Sequence, residues 1–191
     1  MKVNAFILIA LFIKIISCNN AGKDSVEKAD SANNAHIDSA LTHNTTVLDE
    51  ESSSFLVKAT DNCMAEIQLA SMAQQKALSK QVRDFSSMLV HDNSVLNDQV
   101  KSLGAQLSVI LPGTISSDKQ KQINDLSKKK DLKFDNAYIE NVIKNYTESI
   151  SLYEKALMNK KDPDINSYAD KTLMTLRMHL DSAKNIRSSI K

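Results

Sequence analysis

Glycine and proline are scarce in this chain, whose 191 residues hold three Gly and two Pro. Strands and tight turns draw heavily on both, so the shortage argues against a turn-rich β fold and for long helices joined by short connections. No Gly-rich turn, phosphate-cradling loop or readable nucleophile–base pairing occurs, which leaves hydrolase and transferase chemistry without support. An excess of one charge is also missing: 24 basic residues face 23 acidic ones, for a formal charge of +1. Nucleic-acid binders concentrate positive charge on one face. The clearest basic run here, Lys128-Lys129-Lys130, is short and reads as a solvated loop, so no nucleic-acid partner is expected.

The N-terminus carries the most specific local signal. Lys2 supplies a short positive region, and residues 5–16 are apolar except for Lys14. That run is too short for a comfortable membrane span, which needs about 20 residues. It ends in Ile15-Ile16-Ser17-Cys18. This resembles the lipobox of bacterial lipoproteins, in which the cysteine is acylated and becomes the mature N-terminus; the alternative is an ordinary cleaved secretory peptide with an incidental cysteine. Lipidation of Cys18 leaves Cys63 without a partner in the chain, despite an oxidising compartment. Cys63 then reads as a small buried hydrophobe.

Residues 19–49 are rich in Asn, Ser, Ala, Asp, Lys and Thr and hold few large apolar side chains. Such a segment buries too little surface to offset its ordering entropy and is expected to be a disordered tether. His36 and His43 fall there, as solvated side chains or, less simply, as a metal-binding pair.

Four long helical stripes follow, spaced by three and four residues. The first spans about 52–77 with Phe55, Ala59, Asn62, Glu66, Ala70 and Ala73; Leu56, Cys63 and Ile67 widen it. The second, about 79–108, starts at a Ser79 cap, carries Val82, Phe85, Leu89, Asp92, Leu96, Val100 and Leu103, and ends by Leu111-Pro112-Gly113. A short helix at about 117–127 precedes the third, about 132–159, with Ile139, Val142, Tyr146, Ile150 and Tyr153. Asp162 as cap and Pro163 in the first turn open the last, whose stripe includes Ile165, Ala169, Thr172, Leu176, His179 and Ala183. Two hairpins joined by one long link is the ferritin-like arrangement of an all-α four-helix bundle, with up-down-up-down as the alternative. The domain reading is therefore signal peptide and lipidated Cys18 over 1–18, tether over 19–49, and ferritin-like bundle over 50–191.

Each long helix places a polar or phenolic residue on its apolar stripe: Glu66, Asp92 with Asn93 beside it, Tyr146 and His179. At about 1.5 Å per residue, the pairs within each hairpin lie nearly level. A buried carboxylate needs a partner. One reading is a hydrogen-bonded network in which Tyr146, Asn93, Glu66 and His179 satisfy one another. The other is a metal site of Glu66, Asp92 and His179, taking Fe, Mn or Zn. Ferritin-like di-iron sites use a Glu on each of two helices and Glu-x-x-His on the others. Here Leu176 precedes His179 at that spacing, and the second helix has no such motif.

Several short runs recur together in order: Phe55-Leu56-Val57-Lys58, Ala65-Glu66-Ile67, Ala73-Gln74-Gln75-Lys76-Ala77, and Phe85 with Leu89-Val90-His91-Asp92. Asp135-Asn136-Ala137-Tyr138, Lys161-Asp162-Pro163, Ala169-Asp170-Lys171-Thr172-Leu173 and Leu176-Arg177-Met178-His179-Leu180 continue the series. Together they resemble the exported ferritin-like bundles known as domain of unknown function 4142. The resemblance covers about residues 54–186 and implies a bundle and an exported location, without an established activity. It further implies Asp-His where this chain has Asp92-Asn93 and again where it has Asn145-Tyr146, and often Glu in place of Met178. Two histidines and a carboxylate of that pattern are thus missing, and neutral Asn and Tyr are weaker ligands.

The functional expectation is a non-enzymatic, lipid-anchored protein of the bacterial cell envelope, facing the periplasm or on the outer membrane, with a binding, structural or stress-related role and no cofactor. Its expected partner is the membrane, through the N-terminal lipid; a protein partner is not readable. The alternative is a metal-binding, iron-type bundle with a degenerate ligand set and a metal-dependent oxidase activity.

Overall fold

The computed structural model describes residues 24–42 and 48–190. Within them lie helices α1 (Ser25–Thr42), α2 (Glu50–Lys76), α3 (Lys80–Gln106), α4 (Ser117–Ser127), α5 (Asp131–Asn159) and α6 (Pro163–Ser189). The four long stripes, the short helix between them and the Asp162-Pro163 start are where the sequence places them. Asp162 accepts from the backbone N–H groups of Asp164 and Ile165, and Pro163 occupies the first turn.

Helices α2 and α3 form one hairpin and α5 and α6 the other, with α2 against α5 and α3 against α6. End contacts fix the directions. The turn closing α2 is held by Asp135 at the start of α5. At the opposite end, Asn159 reaches Asp49 at the head of α2, and Gln106 at the foot of α3 reaches Asp164 at the head of α6. Each of these pairs of long helices is therefore antiparallel, and the 107–130 link must travel the length of the bundle. That is the ferritin-like topology. The core runs along its axis through Leu56, Leu69, Leu89, Val100, Tyr138, Ile139, Val142 and Ala183, all fully buried. Burying each large apolar side chain contributes roughly 1.5–3 kcal/mol.

Two ends form differently from the sequence expectation. The Ser79 side chain makes no cap bond to α3. The Asp135 carboxylate, wholly buried, accepts instead from Leu78 N (3.0 Å) and Ser79 N (2.7 Å), while Arg83 donates to the carbonyls of Ala77 and Leu78. A neighbouring helix thus holds the turn that leads into α3, without replacing the missing side-chain cap. The far end of α3 closes before the Leu111-Pro112-Gly113 run. Ser108 turns left-handed (φ 57°), Val109 N donates to Gly104 O, and Ser108 N donates to Ala105 O. This Schellman pattern usually uses glycine at the left-handed position. Gly104 leaves room for the link: a Cβ there would meet Leu111 Cδ1 at 2.7 Å, so the Leu111 side chain would have to shift.

The expectation of a disordered tether over 19–49 is corrected for its described part, because α1 is folded onto the bundle. Asp24 caps it, accepting from Val26 N and Glu27 N. Ala29 and Asn33, one turn apart, are buried. Asn33 Nδ2 donates to Ile110 O at 2.9 Å and its Oδ1 accepts from Ile110 N at 2.8 Å, which satisfies the α3–α4 link. The stripe is made of small and amide side chains rather than large apolar ones, so a reading by hydrophobicity passes over it. His36 is exposed on α1, while His43 and the Cys18 lipobox lie outside the described residues.

Candidate functional site

The polar residues on the stripes meet mid-bundle, in two groups rather than one network. On one side, Glu66 of α2 is 4% exposed and accepts from Asn145 Nδ2 of α5 at 2.6 Å. Asn145 also exchanges hydrogen bonds with the Gln122 side-chain amide of α4, at 3.1 and 3.3 Å. On the other side, Asn93 of α3 donates to the Tyr146 hydroxyl of α5 at 2.7 Å and to its own helix at Leu89 O. Tyr146 meets the His179 ring of α6 edge-on, with centroids 5.3 Å apart. His179 Nε2 lies 2.9 Å from Asp92 Oδ2. A carboxylate can only accept at neutral pH, so the proton sits on Nε2 and Nδ1 carries a lone pair.

The structure joins Asn93 to Tyr146 and pairs His179 with Asp92, while Glu66, expected in one network with His179, bonds to Asn145 instead. Adjacent positions on α5 explain the division. Asn145 turns toward α2 and α4, while Tyr146 turns toward α3 and α6. Asn145 and Gln122 are the residues that stripe reading missed. Asn145 is polar on the edge of an apolar stripe, a signal available in the sequence; Gln122 sits on the crossover helix, whose docking face no spacing reveals. A third buried carboxylate, Asp61, accepts from Ser116 N and Ser116 Oγ at 2.7 and 2.8 Å and fixes the head of α4.

Burial sets the electrostatics. It raises the Glu66 carboxyl to about 7, against the opposing pull of the Asn145 hydrogen bond and the Lys119 charge. Burial lowers the His179 imidazole below its ordinary value, with the Asp92 hydrogen bond and charge opposing. The Cys63 thiol is pushed up to about 12 by burial and by the Glu66 charge, which makes it inert as a nucleophile. Within this polar layer, Glu66 Oε2 and His179 Nδ1 are buried without a hydrogen-bond partner among the described residues. One lone pair and one carboxyl oxygen, held in different pairs, do not make a di-iron donor set. Among the described residues no three His, Cys, Asp or Glu side chains come together as a metal site.

A separate surface groove lies between α3 and α6, lined by His91, Asp92, Val95, Thr175 and Met178, with Lys171 at its edge. Met178 is more than half exposed there.

No curated protein matches the chain. Among solved structures, a DUF305 fragment from Deinococcus radiodurans is similar over 75% of this chain and 99% of its own, with a TM-score of 0.67 and 10% identity. CopM in the Cu(II)-bound form covers 72% of this chain and 96% of its own, at TM-score 0.63 and 16% identity. Its Ag-bound form gives a TM-score of 0.60 at the same identity. At these identities the likeness shows the helical-bundle fold alone. Residues 23–186 match the sequence family described as Domain of unknown function (DUF4142), a span that includes α1. The chain belongs to that family.

Proposed function

We propose that this protein is a non-enzymatic bundle tethered to the bacterial cell envelope by a lipid on Cys18, with a binding or structural role. The observation that carries the non-enzymatic part is the pairing of the polar layer. Asn145 engages Glu66, Tyr146 engages Asn93 and Asp92 engages His179, so the mid-bundle groups serve one another. Buried hydrogen-bonded pairs between helices favour one packing of the core and fix its helix register. Protein purified from membranes without added metal tests this, by elemental analysis: substoichiometric Fe, Mn and Zn is expected. One or two equivalents of any of them, lost in Glu66→Gln, would overturn it.

A second reading has its own observation. His91 and Met178 present an imidazole and a thioether to one groove, beside the Asp92 carboxylate. Soft thioether and imidazole donors suit Cu(I) and Ag(I). The CopM structures of similar fold are Cu(II)-, Cu(I)- and Ag-bound forms. Under this reading the envelope bundle captures soft metal ions on its surface, not in its core. A competition titration with Cu(I) should then show a site lost in both His91→Ala and Met178→Leu; binding unchanged by either removes the reading.

A further inference from the structure

We propose that the bundle end formed by the α2–α3 and α4–α5 turns docks directly on an anionic lipid surface. Leu78 of the first turn and Leu132 of the second line one hollow with Lys128, Lys129, Lys130 and Lys133. Both leucines are exposed, Leu78 at 57% and Leu132 at 42%. Two leucines at turns of the same end thus keep a large share of their apolar surface in water, and covering it would be favourable. Four lysines against the single Asp131 give the hollow three net positive charges.

Only part of that charge has a structural reason. Lys128 follows the C-terminus of α4, where a cation is favoured, and pairs with Asp125 at 2.7 Å. Lys130 and Lys133 stand at the N-terminus of α5, where the helix dipole disfavours cations. Lys80 stands likewise at the head of α3, offset by Asp84. The opposite end of the bundle carries Asp49, Glu50, Glu51, Asp162 and Asp164 near Lys160 and Lys161, so the two ends differ in charge. Apolar tips ringed by lysine match the membrane interface, where acyl chains lie beneath anionic headgroups. The Lys128-Lys129-Lys130 run, a solvated loop by its sequence, has a target on this account.

The contact is independent of lipidation, so it is tested in the full chain carrying Cys18→Ser. The sequence has no tryptophan. Leu132→Trp therefore gives one reporter at the proposed face, and Met158→Trp gives a control at the opposite end. Each is mixed with phosphatidylglycerol-containing or pure phosphatidylcholine vesicles bearing brominated acyl chains. The apolar N-terminal run can hold the chain on both vesicle types, so reporter depth decides, not total binding. The expected result is blue-shifted, quenched emission at position 132 in phosphatidylglycerol vesicles, weak quenching in phosphatidylcholine, and none at 158. Replacing the four lysines by glutamine should weaken docking on the order of a hundredfold or more, at about fivefold per lysine. Should that variant not fold, about 1 M salt on the parent reporter, with screening beyond about 3 Å, must release position 132. Equal quenching at 132 and 158, or equal quenching in both vesicle types, overturns the proposal. So does a spectral change produced by a soluble acidic peptide without vesicles, which would assign the face to a protein partner.

Discussion

Asn145 donates to Glu66 across the α2–α5 interface at 2.6 Å, yet the second oxygen of the same buried carboxyl has no partner. One neutral amide is too little to stabilise a carboxylate there, and burial raises the group from 4.5 to about 7. Between those two values the folded chain keeps a proton that the unfolded chain releases. This contribution to stability therefore falls as pH rises from about 4.5 and levels off above about 7. Glu66→Gln removes it while keeping an acceptor for Asn145. The variant should be more stable than the parent above about pH 7, by up to about 3 kcal/mol, with no gain below about pH 4.5. Urea unfolding of both proteins across that range measures it.

His179 has the opposite sign. Its imidazole is held neutral below the ordinary histidine range, chiefly by burial. As pH falls below about 6.5 the unfolded chain takes a proton that the folded chain refuses, so stability falls toward acid. In Glu66→Gln, with the opposing carboxyl gone, stability should rise with pH toward about 6.5 and then level off. A flat or falling profile in that variant would contradict the burial of a neutral His179.

The helix turn held by Asp135 gives a third expectation. Asp135→Ala strips the acceptor from the N–H groups of Leu78 and Ser79, which then have no partner in the turn. A loss of roughly 2–4 kcal/mol follows from two unsatisfied donors. Asp135→Asn should recover part of it, because the amide oxygen still accepts. Ser79→Ala should change little, since its hydroxyl makes no cap bond.

These expectations also mark what the sequence could and could not reveal. Helix stripes were readable because Leu89, Leu96, Val100 and their counterparts repeat every three or four residues. The long 107–130 link announced a crossover by its length alone. Asp162-Pro163 announced its helix by local chemistry. Asp135 escaped because its partners lie 56 and 57 residues away, and no spacing rule links a carboxylate to a turn on another hairpin. Helix α1 escaped because its contact face is Ala29 and Asn33, which composition counts as polar and small. The polar layer was legible as positions but not as pairs, since neighbouring residues on α5 face opposite halves of the bundle.

Docking of α1 is testable by one side chain. Asn33→Ala leaves both Ile110 backbone groups without their partner and should cost about 1–2 kcal/mol. Deleting residues 24–42 should lower the melting temperature for the same reason. A deletion that leaves the midpoint unchanged would mean α1 contributes nothing to the folded domain.

Anchoring is tested by Cys18→Ser in cells. Lipid attachment should be lost, with release from the membrane fraction or accumulation of the unprocessed chain. Unchanged mobility and unchanged membrane association would rule out the lipoprotein proposal.

The central claim is that the mid-bundle polar layer is a structural network and not a metal centre. Thermal melts of the parent, Glu66→Gln and His179→Ala, each with and without Fe(II), Mn(II) or Zn(II), test it most directly. An ion bound by the native state alone, at about 100 times its Kd, adds about 2.7 kcal/mol to stability. The account predicts no metal-dependent shift in any of the three proteins. It also predicts that His179→Ala loses roughly 1–3 kcal/mol in metal-free buffer, because a buried ring and the partner of Asp92 are gone. A clear rise in the parent's melting temperature with one of these ions, abolished in both variants, would contradict it.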